Sequence, residues 1–245
     1  MAAPRHLSVY SPRGKIGLIV PPTNTVNEAE WSRLMPEGVT FHTVRMAIHS
    51  DPSSDRGAVV RDIAGRVHEL AQARVDVVAY ACTAGSMVSP PRALPDEVER
   101  ETGVAVVTTA AAIVDALHAL GARRVSIATP YHDALNEHEV AFLAENGIET
   151  ARIAGLGLGA NGPVDYPLIA QTPLEAVEAH ARAVFVPGSD ALVVTCTDFP
   201  SLPLIERLEA ALGVPVVTSN TATLWAALRR AEIAGAVPGG RLFQF

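Results

Sequence analysis

The chain has 245 residues, 49 % of them hydrophobic and 18 % charged, with a formal net charge of −7 and a mean hydropathy of +0.23. That is apolar material for one large or two small buried cores, with too few charges for a disordered chain. Lys15 is the single lysine and no basic stripe exists, which argues against a nucleic-acid partner, and no stretch approaches the ~20 apolar residues of a membrane span. The opening "MAAPRHLSVYSPRG" lacks the apolar core of a signal peptide. A cytoplasmic protein with reduced thiols is expected.

Short β-branched runs alternate with helical patterns along the chain. Strands are predicted over 15–21, 39–46, 75–81, 103–109, 123–130, 148–155, 190–196 and 213–219. A helix is predicted over 56–74 from its apolar spacing. A second, over 172–185, opens with Thr172, Pro173 and Glu175, the pattern of a capping box with proline at the first helical position. Continuous apolar strands separated by helices imply parallel sheets buried on both faces. The predicted fold is therefore α/β.

The chain also repeats itself. "ETGVAVVTTAAAIVDALHAL" near 101 matches "ALGVPVVTSNTATLWAAL" near 211, and "KIGLIVPPTNTVNEAE" matches "RRVSIATPYHDALNEHE". The offsets are close: 110 from Gly103 to Gly213, 109 from Lys15 to Arg124, and 114 from Cys82 to Cys196. A duplicated unit follows, giving two pseudo-symmetric Rossmann-like lobes of about four strands each. The first is expected over 1–112, completed by 222–245, and the second over 113–221. Each lobe carries one cysteine at the carboxyl end of its third strand. Ligands of open parallel sheets bind at those ends, so the two thiols are expected to flank one cleft between the lobes.

Either cysteine alone would read as a small buried residue at a strand end. Two at matched places read as chemistry. A thiol at a strand-to-helix junction is expected to have a lowered pKa, which makes thiolate available. Thr83, Ser86 and Thr197 either hold a substrate carboxylate or close turns. Asn24, in "PPTNTVNE", either caps a helix or donates its amide to substrate. Tyr131, at the equivalent place in the second half, is an oxyanion donor or a loop tyrosine. His132 reads as a solvated loop histidine. "GLGLGANGPVDYP" (155–167) is no nucleotide fingerprint; it is a surface loop or a lid that brings Asn161 inward. Two cysteines without a histidine at metal spacing make no metal site.

Together, "GLIVPPTNTVNE", "ACTAGS", "ATPYHDALNE", "GLGLGAN" and "TCTDFPSLPLIERLEAALGVPVVTSN" resemble the aspartate/glutamate racemase superfamily, and within it most closely the maleate cis-trans isomerases of the arylmalonate decarboxylase branch. The resemblance implies a cofactor-independent homodimer acting on a small dicarboxylate. It implies Cys82 as nucleophile, Cys196 as second catalytic thiol, and Asn24, Tyr131 and Asn161 on the substrate carboxylates, with Thr83, Ala84 and Thr197 beside them. Isomerases of this kind commonly carry serine in place of Ala84 and asparagine in place of Asp198. Decarboxylases of the branch keep only the second cysteine, so Cys82 favours the isomerase. The expected chemistry is thiolate addition to maleate, rotation about the new single bond, and elimination to fumarate. The alternatives are a two-base racemase, a decarboxylase-like lyase, and a module that only binds a small acid.

Overall fold

The structure is a computed structural model that describes residues 8–48 and 56–245. The first half runs β1 (Gly14–Val20), α1 (Asn27–Leu34), β2 (Val39–Arg45), α2 (Arg56–Ala71), β3 (Val77–Tyr80), α3 (Thr83–Ser86), α4 (Ala93–Thr102), β4 (Val106–Thr108) and α5 (Thr109–Ala119). The second runs β5 (Arg124–Thr129), α6 (Asp133–Glu145), β6 (Glu149–Gly155), α7 (Tyr166–Ala170), α8 (Leu174–Val184), β7 (Ala191–Val194), α9 (Ile205–Leu212), β8 (Val216–Thr218) and α10 (Ser219–Arg230). Two parallel four-stranded sheets result, ordered β2-β1-β3-β4 and β6-β5-β7-β8. The order is the same in both halves, as the repeat requires.

The repeated residues hold repeated positions. Gly103 and Gly213 end α4 and α9 in the left-handed conformation, with φ of 70° and 78°. Glycine adopts this without a Cβ penalty. It also explains why β4 and β8 are shorter than predicted: the residues after each glycine are spent leaving the helix. Glu99 and Glu209 then accept the first strand amides, from Val106 at 2.8 Å and Val216 at 3.1 Å. Asp76 and Asp190 accept the N–H groups that open β1 and β5. The capping box expected at Thr172 is absent. Pro173 takes the cap position of α8, and no side chain bonds the first turn.

Sheet interiors follow burial. Every residue of β1 is buried, whereas β2, at the edge, is mostly half-buried, with His42 and Arg45 exposed. One apolar core runs between the lobes, from Ile16, Leu18 and Val77 of the first sheet to Val125, Ile127 and Val193 of the second. Helices α5 and α10 lie against each other there. α10 packs on β3 and β4 of the first sheet, and α5 reaches β8 of the second. α10 thus lies mainly against the first sheet, and α5 bridges β4 and β8. Trp31 of α1 is fully buried and donates from Nε1 to the Asn220 carbonyl of α10 at 3.0 Å. Among the described residues no helix is long and apolar enough to cross a membrane.

Candidate active site

The loops after β1, β3, β5 and β7 all leave the carboxyl edges of their sheets and converge. They enclose a small cavity of about 110 Å³. Asn24, Cys82, Thr83, Ala84, Tyr131, Cys196, Thr197 and Asp198 line it, with Tyr166, Leu158 and His132 closing the rim. Each lobe contributes one thiol.

Cys82 caps the short helix α3. Its Sγ accepts the Gly85 N–H at 3.4 Å and the Tyr80 hydroxyl. Burial nevertheless outweighs these donors and raises its pKa above the ordinary thiol value. This corrects the expectation of a lowered pKa: α3 has only four residues, and its amides cannot offset desolvation. Cys196 is pushed further, to about 12, by burial and by the neighbouring charges of Asp198 and Cys82. Tyr131 donates to the Cys196 sulfur, and its own pKa is raised well above the usual phenol value by burial. It is a fixed donor at any working pH. Cys196 also sits at φ 89°, in the left-handed region. A non-glycine residue there costs about 1–3 kcal/mol and persists only where the surroundings hold it. Here Ser219 Oγ accepts its N–H at 3.0 Å.

Ser219, at the start of α10, also bonds Thr83 Oγ1 at 2.9 Å, so one hydroxyl ties both cysteine loops together. Asn24 has two roles at once. Its Oδ1 accepts the N–H groups of Val26 and Asn27 at the head of α1, and its Nδ2 donates to Thr197 Oγ1 across the cleft at 3.0 Å. One amide N–H remains for a ligand. Asp198 also crosses the cleft: its Oδ1 accepts the N–H groups of Thr25 at 2.8 Å and Val26 at 3.2 Å. Below this layer, Glu30 of α1 accepts the N–H groups of Ser201 and Leu202 and the Asn220 amide. The lobes are locked around the site by carboxylates and amides.

Asn161 is not part of this set. It is exposed, and its amide is spent on Asp165 at 2.8 Å, within a tight turn that Gly162 closes at φ 75°. The glycine-rich loop does cover the cavity, but with Leu158, Gly159 and then Tyr166. Ser86 also stays out: its hydroxyl bonds the Cys82 carbonyl at 2.6 Å and shapes α3. Sequence reasoning missed Tyr166, Tyr80 and Ser219. Ser219 had a signal, since "VVTT" and "VVTS" are the repeat itself; Tyr80 and Tyr166 had none.

The family model for arylmalonate decarboxylase matches residues 16–243. The chain belongs to that family. Within the arylmalonate decarboxylase family it is 34 % identical to a maleate isomerase of Nocardia farcinica, over 94 % of this chain and 95 % of the relative. It is 33 % identical to an arylmalonate decarboxylase of Bordetella bronchiseptica, over 93 % and 95 %. Its fold superposes with a TM-score of 0.82 on a cysteine-to-serine mutant of the Nocardia maleate cis-trans isomerase that carries a covalently bound succinylcysteine intermediate, at 33 % identity over 94 % of this chain and 98 % of that one. A maleate isomerase of Pseudomonas putida solved with maleate gives 0.81, at 29 % identity over 94 % and 97 %.

Proposed function

We propose that the protein isomerises maleate to fumarate, with Cys82 as nucleophile and Cys196 as proton carrier. The observation that carries this is the pair of thiols lining one cavity from opposite lobes. A relative of the same fold, caught with a succinylcysteine, supports the same chemistry.

The environments of the two sulfurs support the division of labour. Cys82 accepts two hydrogen bonds that favour its thiolate, from Gly85 and Tyr80. Cys196 also accepts two, from the Asp198 N–H and Tyr131, but burial and the Asp198 carboxylate beside it keep it a thiol until a reaction draws its proton. The Cys82 thiol passes its proton to solvent, and the resulting thiolate bonds to one alkene carbon of maleate. The alkene pair moves to the neighbouring carbon and spreads onto its carboxylate, whose developing charge the free Asn24 N–H meets while Tyr131 stays on the Cys196 sulfur. The Cys196 thiol gives its proton to that carbon. Rotation about the new single bond follows. The Cys196 thiolate then takes the proton back, and Cys82 leaves as thiolate, releasing fumarate and regaining its proton from solvent. Atoms and charge balance with no net proton.

The test is to follow maleate and fumarate by proton NMR. Wild-type protein converts one to the other, and Cys82→Ser loses at least about 10³-fold in kcat, the rate that covalent attack supplies. Absence of fumarate with folded wild-type protein contradicts the reading.

A further inference from the structure

Among the described residues the cavity is lined without a lysine or arginine. Yet it contains a carboxylate, Asp198. Two backbone N–H groups occupy Asp198 Oδ1, and its Oδ2 takes no hydrogen bond among the described residues. No lysine or arginine faces Asp198 from within the cavity among the described residues. From its own loop comes Cys196; across the cavity lie Cys82, Tyr131, Tyr166 and His132. From β2, Arg45 is the nearest cation, but its guanidinium holds the Asn24 and Pro21 carbonyls and Glu28 outside the cavity. A maleate dianion would therefore bring two charges to a site that already has one, with a thiolate still to form. Like charges confined together disfavour ionisation of one of them.

Building on the isomerase reading above, we propose that Asp198 selects substrate by charge: the cavity prefers a cis-enedioate half-amide, whose carboxamide N–H donates to Asp198 Oδ2, and admits the diacid only with a proton shared between its carboxyl group and Asp198. A carboxylate oxygen with no protein donor, on the wall of a cavity, rewards a donor and penalises another acceptor. Burial supports this, since it raises Asp198 to about 6 against the pull of Thr25, Val26 and Arg45. The carboxylate is ionised at neutral pH and protonated in mild acid. Addition, rotation and elimination proceed on the half-amide with the same atom balance as on maleate.

The experiment measures kcat/KM for maleamate and for maleate by NMR at pH 6 and pH 8, in wild type and in Asp198→Asn. Thiol ionisation acts on both substrates and cancels in their ratio. In wild type the maleamate-to-maleate ratio rises at least tenfold from pH 6 to pH 8; in Asp198→Asn it changes less than threefold. Asparagine retains an oxygen for Thr25 and Val26, and the wild-type pH response stands without the variant. A wild-type ratio that does not rise, or one that rises equally in the variant, overturns the proposal. Fumarate from maleate at pH 6 is the internal check: without it the isomerase reading itself fails, and with it only the role of Asp198 is in question.

Discussion

Glu139 of α6 occupies the place of Glu30 in the repeat, 109 positions on, but the two carboxyls differ in company. Glu30 accepts two backbone N–H groups and an amide. Glu139, fully buried, accepts one bond, from Thr195 Oγ1 at 3.1 Å, and burial raises its pKa to about 8. An acid so placed favours the fold while protonated. Its contribution is full below about pH 4.5, the ordinary value, and is lost as pH climbs through 8. Glu139→Gln keeps an acceptor for Thr195 and removes the ionisation. It is expected to stabilise by about 4 kcal/mol at pH 8 and by less than about 1 kcal/mol at pH 5, as read from denaturant midpoints at the two values. Equal effects at both would show that Glu139 does not titrate with folding.

At the scale of elements, the site depends on how closely the loop after β5 approaches the end of β6. A Cβ on Gly155 would lie 1.9 Å from the Tyr131 carbonyl oxygen, so Gly155→Ala must displace the loop that carries Tyr131. A shift of about 1 Å in a positioning group costs on the order of 10²-fold in rate. The expected result is that loss in kcat with the circular dichroism spectrum retained. Gly65, in α2, has nothing within 4 Å of its Cβ position. There alanine should raise stability by about 0.5–1 kcal/mol and leave kcat unchanged.

At the scale of the whole molecule, the packing of α5 and α10 makes one cooperative body of two lobes. α10, from the second half, lies mainly against the first sheet, and α5 bridges β4 and β8. Thermal unfolding is therefore expected as a single transition, and a chain truncated after Thr218 as unfolded; two separated transitions would contradict this. The duplicated lobes of parallel strands and the meeting of the thiols were legible in the sequence, because continuous apolar runs and a constant offset are strong local signals. What was not legible depended on competition between local forces and tertiary ones. Asn161 looked available, but Asp165 four residues on claims it. Cys82 looked activated by a helix, but burial prevails over four residues of helix. Asp198 reads as a loop acid until Thr25 and Val26 are seen to meet it from the other lobe.

The central claim is that Cys82 forms a carbon–sulfur bond with substrate while Cys196 manages the proton. Incubation of Cys196→Ser with maleate, followed by peptide mapping by mass spectrometry, tests it most directly. The account predicts a thioether adduct with the mass of one maleic acid, on the peptide that contains Cys82. Unmodified Cys82 in folded protein that still turns maleate into fumarate would contradict it.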